Sequence, residues 1–419
     1  MLHSIPTEKI GPLGAPMAQA VQACVHCGFC LAACPTYSVL GQEMDSPRGR
    51  IVLMKQVLEG SLAREAAQPH IDRCLGCLAC EPACPSGVPY RELISPFRAW
   101  ARSQGANGCA ARLRSFLESK VLPYPNRFRL AALAGRLARP LLPLLPAALS
   151  PMLNLLPSTL PRPYTTPQLT PAQGQRRARV ALLAGCVQQV LEPDINAATV
   201  EVLSRNGVEV VVPPNQGCCG GLAWHTGDLE TAQKFARSNL AAFPKDVDAI
   251  VTNAAGCGST LREYGLILRG TDNEGSAQEF SRQVMDVSFF LAQIGLRAPW
   301  GPAVKQKVVY QDACHLAHAQ NVQAEPRSLL SAIPGLELTE MTDAGLCCGS
   351  AGTYNLDQPE IAAALGQKKA KAVIATGAHT VVSGNIGCMM QLRAHLARLG
   401  SHIGVRHTLQ VLRDAHKQL

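Results

Sequence analysis

The 419-residue chain is poor in aromatic side chains, at 5%, and in charged ones, at 16%. So few aromatics argue against a stacking surface for single-stranded nucleic acid. So little charge, beside 47% hydrophobic residues, excludes a disordered tail or a charged coiled coil and leaves ample apolar surface for a core. Acids are outnumbered, 30 to 39, and the resulting net charge of +9 favours an anionic neighbour. Nowhere do about 20 apolar residues run without proline or charge, so no transmembrane helix is read. The opening MLHSIPTEKIGPLG lacks the basic, apolar, small-residue order of an export signal, and a cytoplasmic chain is expected. No G-x-G-x-x-G follows a strand, and P-loop, H-E-x-x-H and G-x-S-x-G motifs are missing. The chain therefore shows no hydride acceptor of its own, and any flavin needed to split electron pairs is expected on another subunit.

Cysteine is abundant, with 17 residues. In a reducing compartment disulfides are rare, so such a count points to metal or redox chemistry. One set lies between Cys24 and Cys84, and a second between Cys186 and Cys388. Cys109 stands outside both and is assigned no role.

Cys24, Cys27, Cys30 and Cys34 read C-x2-C-x2-C-x3-C-P, and Cys74, Cys77, Cys80 and Cys84 repeat that spacing, closed by Pro35 and Pro85. This is the two-cluster bacterial ferredoxin spacing. A [4Fe–4S] cube needs one thiolate per iron. Three cysteines spaced by two residues wrap three irons, and the fourth reaches across to the other cluster. The expected sets are Cys24, Cys27, Cys30 and Cys84 for the first cluster, and Cys74, Cys77, Cys80 and Cys34 for the second. The competing zinc sites pair two C-x2-C knuckles across a longer loop, which is not this pattern. Between the two motifs IVLMKQVLEG reads as a helix, so the module is larger and more helical than a minimal ferredoxin.

Residues 176–419 contain an internal repeat. RVALLAGC, a helical stretch, VEVVVPP, GCCGGL, a second helical stretch and DAIVTNAAGC make the first copy. KVVYQDAC, LELTEM, LCCGSAG and HTVVSGNIGC mark the second. Cys186, Cys218, Cys219 and Cys257 correspond to Cys314, Cys347, Cys348 and Cys388, at offsets of 128 to 131 residues. The apolar, β-branched runs suit parallel strands covered by helices, and the cysteines fall where such sheets place their sites, beyond the carboxyl ends of strands. Two matched sets of four thiols are expected to serve as a second tier of metal or iron–sulfur ligands, with a redox dithiol or structural thiols as the alternative.

The chain thus divides into a helical ferredoxin-type domain (1–100), a basic helical segment and Pro-rich linker (101–175), and two Cys-Cys-Gly domains (176–300 and 301–419). The class is α+β multidomain: a helical two-cluster ferredoxin domain followed by two pseudo-symmetric α/β domains. Residues 98–139 carry nine Arg/Lys and one acid, Glu118, and read as a docking face. Residues 140–173, with nine prolines among leucines, cannot form a long helix. They read as a linker packed over a neighbouring domain, with a membrane-surface or partner contact as the sharper alternative. Arg48 and Arg50, in DSPRGR, read as a turn into a helix rather than as a carboxylate clamp. His225, His315 and His318 lie near the repeat cysteines and are taken as ordinary core or surface histidines.

The stretch CVHCGFCLAACPTY…GQEMDSPRGRI, then RCLGCLACEPACPSGVPY, then two Cys-Cys-Gly domains, closely resembles the iron–sulfur subunit of bacterial glycolate oxidase, over about residues 15–419. The phrases DSPRGRI and ACPSGV narrow a match that the ferredoxin motifs alone leave broad. The resemblance implies two [4Fe–4S] clusters on the eight cysteines from Cys24 to Cys84. It implies FAD-binding partner subunits that oxidise glycolate to glyoxylate, electron delivery toward a quinone or other acceptor, no activity alone, and a peripheral place on the cytoplasmic face of the inner membrane. Similar chains serve D-lactate and glycerol-3-phosphate dehydrogenases and heterodisulfide reductases. Heterodisulfide-type domains end in C-x2-C, giving five cysteines each. Here Ala254 and Asn385 stand where the extra cysteine would be, which argues against their noncubane cluster. A zinc-dependent scaffold and a nucleic-acid binder are the remaining classes, and the ferredoxin spacing disfavours both.

Overall fold

The computed structural model describes residues 4–105, 115–138, 156–157, 159–297, 300–301 and 305–417. Cys109 and half of the Pro-rich segment, residues 140–155 and 158, lie outside the described residues.

The first hundred residues are helical, as expected. Helices α1 (Gly14–Gln22), α2 (Pro47–Leu58), α3 (Arg64–Asp72) and α4 (Arg91–Ser103) surround the two cysteine loops. The DSPRGR phrase is a capped helix start. Ser46 accepts from the Gly49 amide, and Pro47 takes the first helical position, where its missing N–H costs nothing. Met17, Met54, Leu93 and Phe97 are fully buried at the centre. Each such side chain contributes about 1.5–3 kcal/mol by leaving water. After α4, helix α5 (Pro125–Leu137) buries Phe128 and Ala132.

The repeat is visible in the topology. In the first copy, edge strand β1 (Leu169–Thr170) pairs antiparallel with β3 (Val208–Val211), followed across the sheet by β2 (Ala178–Leu183), β4 (Ala249–Thr252) and β5 (Val284–Asp286), all parallel. The helices are α6 (Asp194–Arg205), α7 (Leu229–Ala242), α8 (Ala255–Arg262) and α9 (Val287–Ile294). In the second copy, β7 (Leu336–Thr339), β6 (Gln306–Tyr310), β8 (Thr380–Ser383) and β9 (Gly404–His407) stand in the same order and are all parallel. Helices α10 (Ala324–Ser331), α11 (Pro359–Ala375), α12 (Ile386–Arg398) and α13 (Thr408–Lys417) complete it. The central strands β2, β4 and β8 are buried almost throughout, and β6 over its last three residues, which is why they read as apolar runs. Each copy carries one more strand and helix, β5–α9 and β9–α13, than the repeated motifs marked. Strand β1 falls inside the stretch read as linker.

Three packings assemble these parts. The ferredoxin helices and the first repeat share one apolar core, joining Met54 and Phe97 to Trp224, Leu261 and Tyr264. The two sheets share a second, joining Val180 and Val210 to Val308, Val382 and Leu412. The second cysteine loop rests on the second repeat through Leu75, Cys77, Cys347 and Leu365. Arg98 and Arg102, counted above in a docking face, turn inward. Arg98 donates to the carbonyls of His225, Ile71 and Cys74, and Arg102 pairs with Asp228 at 3.3 Å.

Candidate iron–sulfur sites

Both ferredoxin loops have the same backbone. His26 and Gly28 in the first, and Gly76 and Leu78 in the second, hold φ between 56° and 89°. Counted from the first cysteine, these are the same two positions. Left-handed residues there curl the chain back and aim amides at sulfur; the Gly76 amide reaches the Cys74 sulfur at 3.4 Å. His26 and Leu78 hold this conformation without glycine's freedom, a strain typical of functional loops.

The loops bring distant cysteines together. Cys84 lies in one cradle with Cys24, Cys27 and Cys30, walled by Gly28, Arg48 and Ile51. Cys34 acts electrostatically on Cys77 and Cys80, in company with Cys74. The two groups differ in exposure. Cys27 is exposed and Cys24, Cys30 and Cys84 are half-buried, while Cys34, Cys74, Cys77 and Cys80 are all buried. Burial pushes the Cys30 thiol up to about 11 and the Cys77 and Cys80 thiols well above their ordinary range. Cys74 is the exception. Burial works against its thiolate, but the Arg50 and Arg98 charges and the Gly76 amide bring it below the ordinary value.

DSPRGR supplies one cation to each group, which its reading as a helix start missed. Arg48 donates to the His26 carbonyl at 3.2 Å and pairs with Glu43 at 2.7 Å. Two residues on, across the helix, Arg50 is 1% exposed. It donates to the Cys34 sulfur at 3.9 Å, to Thr36 Oγ1 at 3.0 Å and to the His70 carbonyl at 2.7 Å. Asp45, fully buried, faces Arg50 at 3.5 Å and also binds Arg73 at 3.0 Å and His70 at 3.1 Å. Burial opposes the Arg50 charge, yet Cys74, Tyr90, Cys34 and Asp45 outweigh it and raise its pKa. The signal was in the sequence as i, i+2 arginines opening a helix; the fold decided which group each one meets.

The repeat cysteines form two tetrads, each beyond the carboxyl ends of its sheet. Cys186 and Cys218 sulfurs lie 3.5 Å apart, and Cys314 and Cys347 sulfurs 3.9 Å apart. Cys219 is hydrogen-bonded by Cys218 and Cys257, and Cys348 by Cys347 and Cys388. The pattern is the same in both: the second cysteine of the pair is drawn well below the ordinary thiol range as the shared acceptor, and the two thiols donating to it are raised. Cys257 and Cys388 stand in the first turns of α8 and α12. Among the described residues, no three His, Cys, Asp or Glu side chains converge at single-ion ligating distance; the tetrads are thiol clusters. Thiolates are soft ligands suited to iron–sulfur groups, and four cysteines per site match that donor set.

A cavity of about 600 Å³ lies where the three parts meet, lined by Cys74 and by cysteines of both tetrads. His225 and His315 also line it, ring centroids 5.2 Å apart and edge to face. Burial lowers both pKa values, so both are neutral. His315 Nε2 meets the Gly76 carbonyl at 3.0 Å and therefore carries the proton. The half-buried His318 hydrogen-bonds to the Gly345 carbonyl instead. The two half-buried rings occupy the domain junction, a position that a lone histidine in a sequence does not announce.

A dicluster ferredoxin module joined to a duplicated cysteine-rich α/β unit defines the class: an iron–sulfur electron-transfer protein. Residues 20–88 match the family described as 4Fe-4S dicluster domain, and residues 180–262 and 308–393 match the family described as cysteine-rich domain. The chain is 37% identical to the probable glycolate oxidase iron-sulfur subunit of Bacillus subtilis, over 94% of this chain and 93% of that one. It is 37% identical to the glycolate oxidase iron-sulfur subunit of Escherichia coli, over 94% of each. Lactate utilization protein A of Oceanobacillus iheyensis is 30% identical over 57% of this chain and 98% of its own. The chain belongs to the glycolate oxidase iron–sulfur subunit family.

Proposed function

We propose that this chain carries electrons singly from an FAD-binding subunit that oxidises glycolate to glyoxylate toward a quinone or other acceptor, and is inactive alone. What carries this reading is the grouping of eight ferredoxin cysteines into one half-exposed and one buried set. Cys24, Cys27, Cys30 and Cys84 would hold the first [4Fe–4S] cluster, and Cys74, Cys77, Cys80 and Cys34 the second. Such clusters supply one-electron chemistry when bound. The chain's own residues set the conditions for it. Arg48 and Arg50 offset negative charge at the sulfurs, the Gly76 amide donates to Cys74, and the apolar core keeps water from the inner set. Val25 and Phe29, 67% and 68% exposed beside Cys27, support electron entry at the outer set, where a flavoprotein face would cover them.

Both Cys-Cys-Gly tetrads are candidate ligands for a further metal or iron–sulfur group. The chain is read as cytoplasmic and peripheral on the inner membrane; among the described residues no helix is long and apolar enough to cross a membrane.

The test is anaerobic purification with the partner subunits, iron and flavin counts, and glycolate-driven reduction followed by EPR. About eight irons or more, FAD on a partner and reduction by glycolate support the proposal. Reduction by D-lactate or glycerol-3-phosphate but not glycolate would transfer the chain to a sister dehydrogenase. Zinc in place of iron would overturn it.

A further inference from the structure

Helix α5 (Pro125–Leu137) is apolar on two sides. Phe128 and Ala132 face inward and are buried against Val190, Leu156 and Leu160. Leu130, Leu133 and Leu137 are 70%, 39% and 82% exposed. At about 100° per residue these three leucines fall within about 60° of one another, on the side away from Phe128 and Ala132. The same count sets Arg127 along one border of the leucine stripe, and Arg129 and Arg136 along the other. Exposed leucines scattered singly are ordinary, but three aligned on one helix face form a contact surface.

The charge around the stripe has one sign. Between Glu118 and Glu192 the chain has nine Arg or Lys and no acid, although acids make up 30 of its 419 residues. Neutral groups hold the cations of α5. Arg127 lies over the Tyr124 ring at 4.5 Å and donates to the Lys120 carbonyl at 3.0 Å, and Arg129 donates to the Pro161 carbonyl at 2.9 Å. Among the described residues no carboxylate pairs with Arg127, Arg129 or Arg136, so their charge faces outward uncompensated. The docking face read from the whole basic stretch thus narrows to this helix.

Position gives the face a use. Phe128, on the inner side of α5, lines the cavity at the domain junction together with Cys74 and cysteines of both tetrads. One side of the helix belongs to the redox junction, and the other, about 10 Å away, meets solvent.

We propose that the outward face of α5 docks this chain on a membrane surface carrying anionic lipid. Leu130, Leu133 and Leu137 enter the boundary between head groups and acyl chains, and Arg127, Arg129 and Arg136 meet lipid phosphates. A helix lying in the interface in this way sinks its apolar side by about 5–10 Å and needs no spanning segment. A protein partner fits the face less well, because the stripe offers no aromatic anchor of the kind around which specific protein interfaces are built. Docked here, the cavity stands one helix from the bilayer, within reach of an acceptor dissolved in lipid; this use of the surface rests on the electron-carrier reading above.

The experiment is vesicle flotation of the full chain with its partners. The probes are vesicles of phosphatidylcholine alone and with phosphatidylglycerol added. Wild type is expected to float with the anionic vesicles, and less so as salt rises. L130S/L133S/L137S is expected to lower binding roughly tenfold or more, and R127Q/R136Q to lower it roughly tenfold or more on the anionic vesicles. The substituted side chains all reach solvent, and unchanged iron content and ferredoxin EPR signals report an intact fold. No flotation of wild type, flotation of the leucine variant equal to wild type, or equal binding to neutral and anionic vesicles would overturn the proposal. Loss of a partner subunit from the leucine variant would also overturn it, by making the face a protein contact. Flotation is read without substrate, so a failure of glycolate to reduce the clusters strikes the earlier reading and leaves this one measurable.

Discussion

Replacing Arg50 by methionine keeps the bulk of a side chain that is 1% exposed and removes its charge. The guanidinium stands 3.9 Å from the Cys34 sulfur. At that separation two unit charges interact by about 4 kcal/mol with an effective dielectric constant of 20. An added electron spreads over a whole cluster. If roughly a quarter of it falls at the Cys34 corner, the reduced form loses about 1 kcal/mol of stabilisation, or ~40 mV for one electron. Asp45 does not become an orphan, since Arg73 and His70 still hold it. The assay is an EPR-monitored potentiometric titration of the anaerobic protein. In R50M the midpoint of the inner group is expected to fall by tens of millivolts while the outer group, served by Arg48, stays where it was. R50K, which keeps the charge, should recover most of the shift. An R50M protein whose two midpoints are unchanged, or move together, would refute the electrostatic role of this arginine.

Other outcomes follow from the same geometry. C84S is expected to abolish the EPR signal of the outer group and C34S that of the inner, each crossing over from its own motif; loss of the same-motif signal in iron-quantified samples would contradict the pairing. Glu263 is buried, accepts from Trp224 Nε1 at 2.6 Å, and has its pKa raised to about 7, chiefly by burial. Its folded form holds a proton that the unfolded form gives up from about pH 4.5, so stability falls as pH rises from about 4.5 to 7, by about 3 kcal/mol. E263Q should therefore unfold at a higher temperature than wild type at pH 8 and equal it near pH 4.5. His407, buried neutral with its pKa lowered to about 4, works in the opposite direction. It costs stability as pH falls from about 6.5 to 4, which a thermal-unfolding series over that range would show. G349A forces a Cβ to 2.7 Å from the Ala362 carbonyl oxygen at φ +84°. A loss of about 2 kcal/mol or more is expected in denaturant titration, against near-neutrality for G275A, where nothing lies within 4 Å.

Much of the architecture was legible in the chain because the signals were local or periodic. The cysteine spacings marked the ferredoxin module, since three ligands of one cluster come from one short loop. The 128- to 131-residue offsets marked the duplication, and buried parallel strands wrote themselves as unbroken apolar runs. The strands β5 and β9 were missed because Val284–Asp286 and Gly404–His407 are short and carry neither a long apolar run nor a cysteine. Edge strand β1 was hidden in two residues of a proline-rich stretch.

What the sequence determined by itself, then, was the donor chemistry: how many thiols there are, in which loops, and in which two matched copies. What only the tertiary structure decided was their electrostatic surroundings. Arg48 and Arg50 are two residues apart and meet different cysteine groups, because a helix turns about 100° per residue and this one runs between both loops. His225 and His315 meet at the domain junction from opposite repeats. Coulomb interactions depend on distance and burial in space, and no spacing along the chain encodes either.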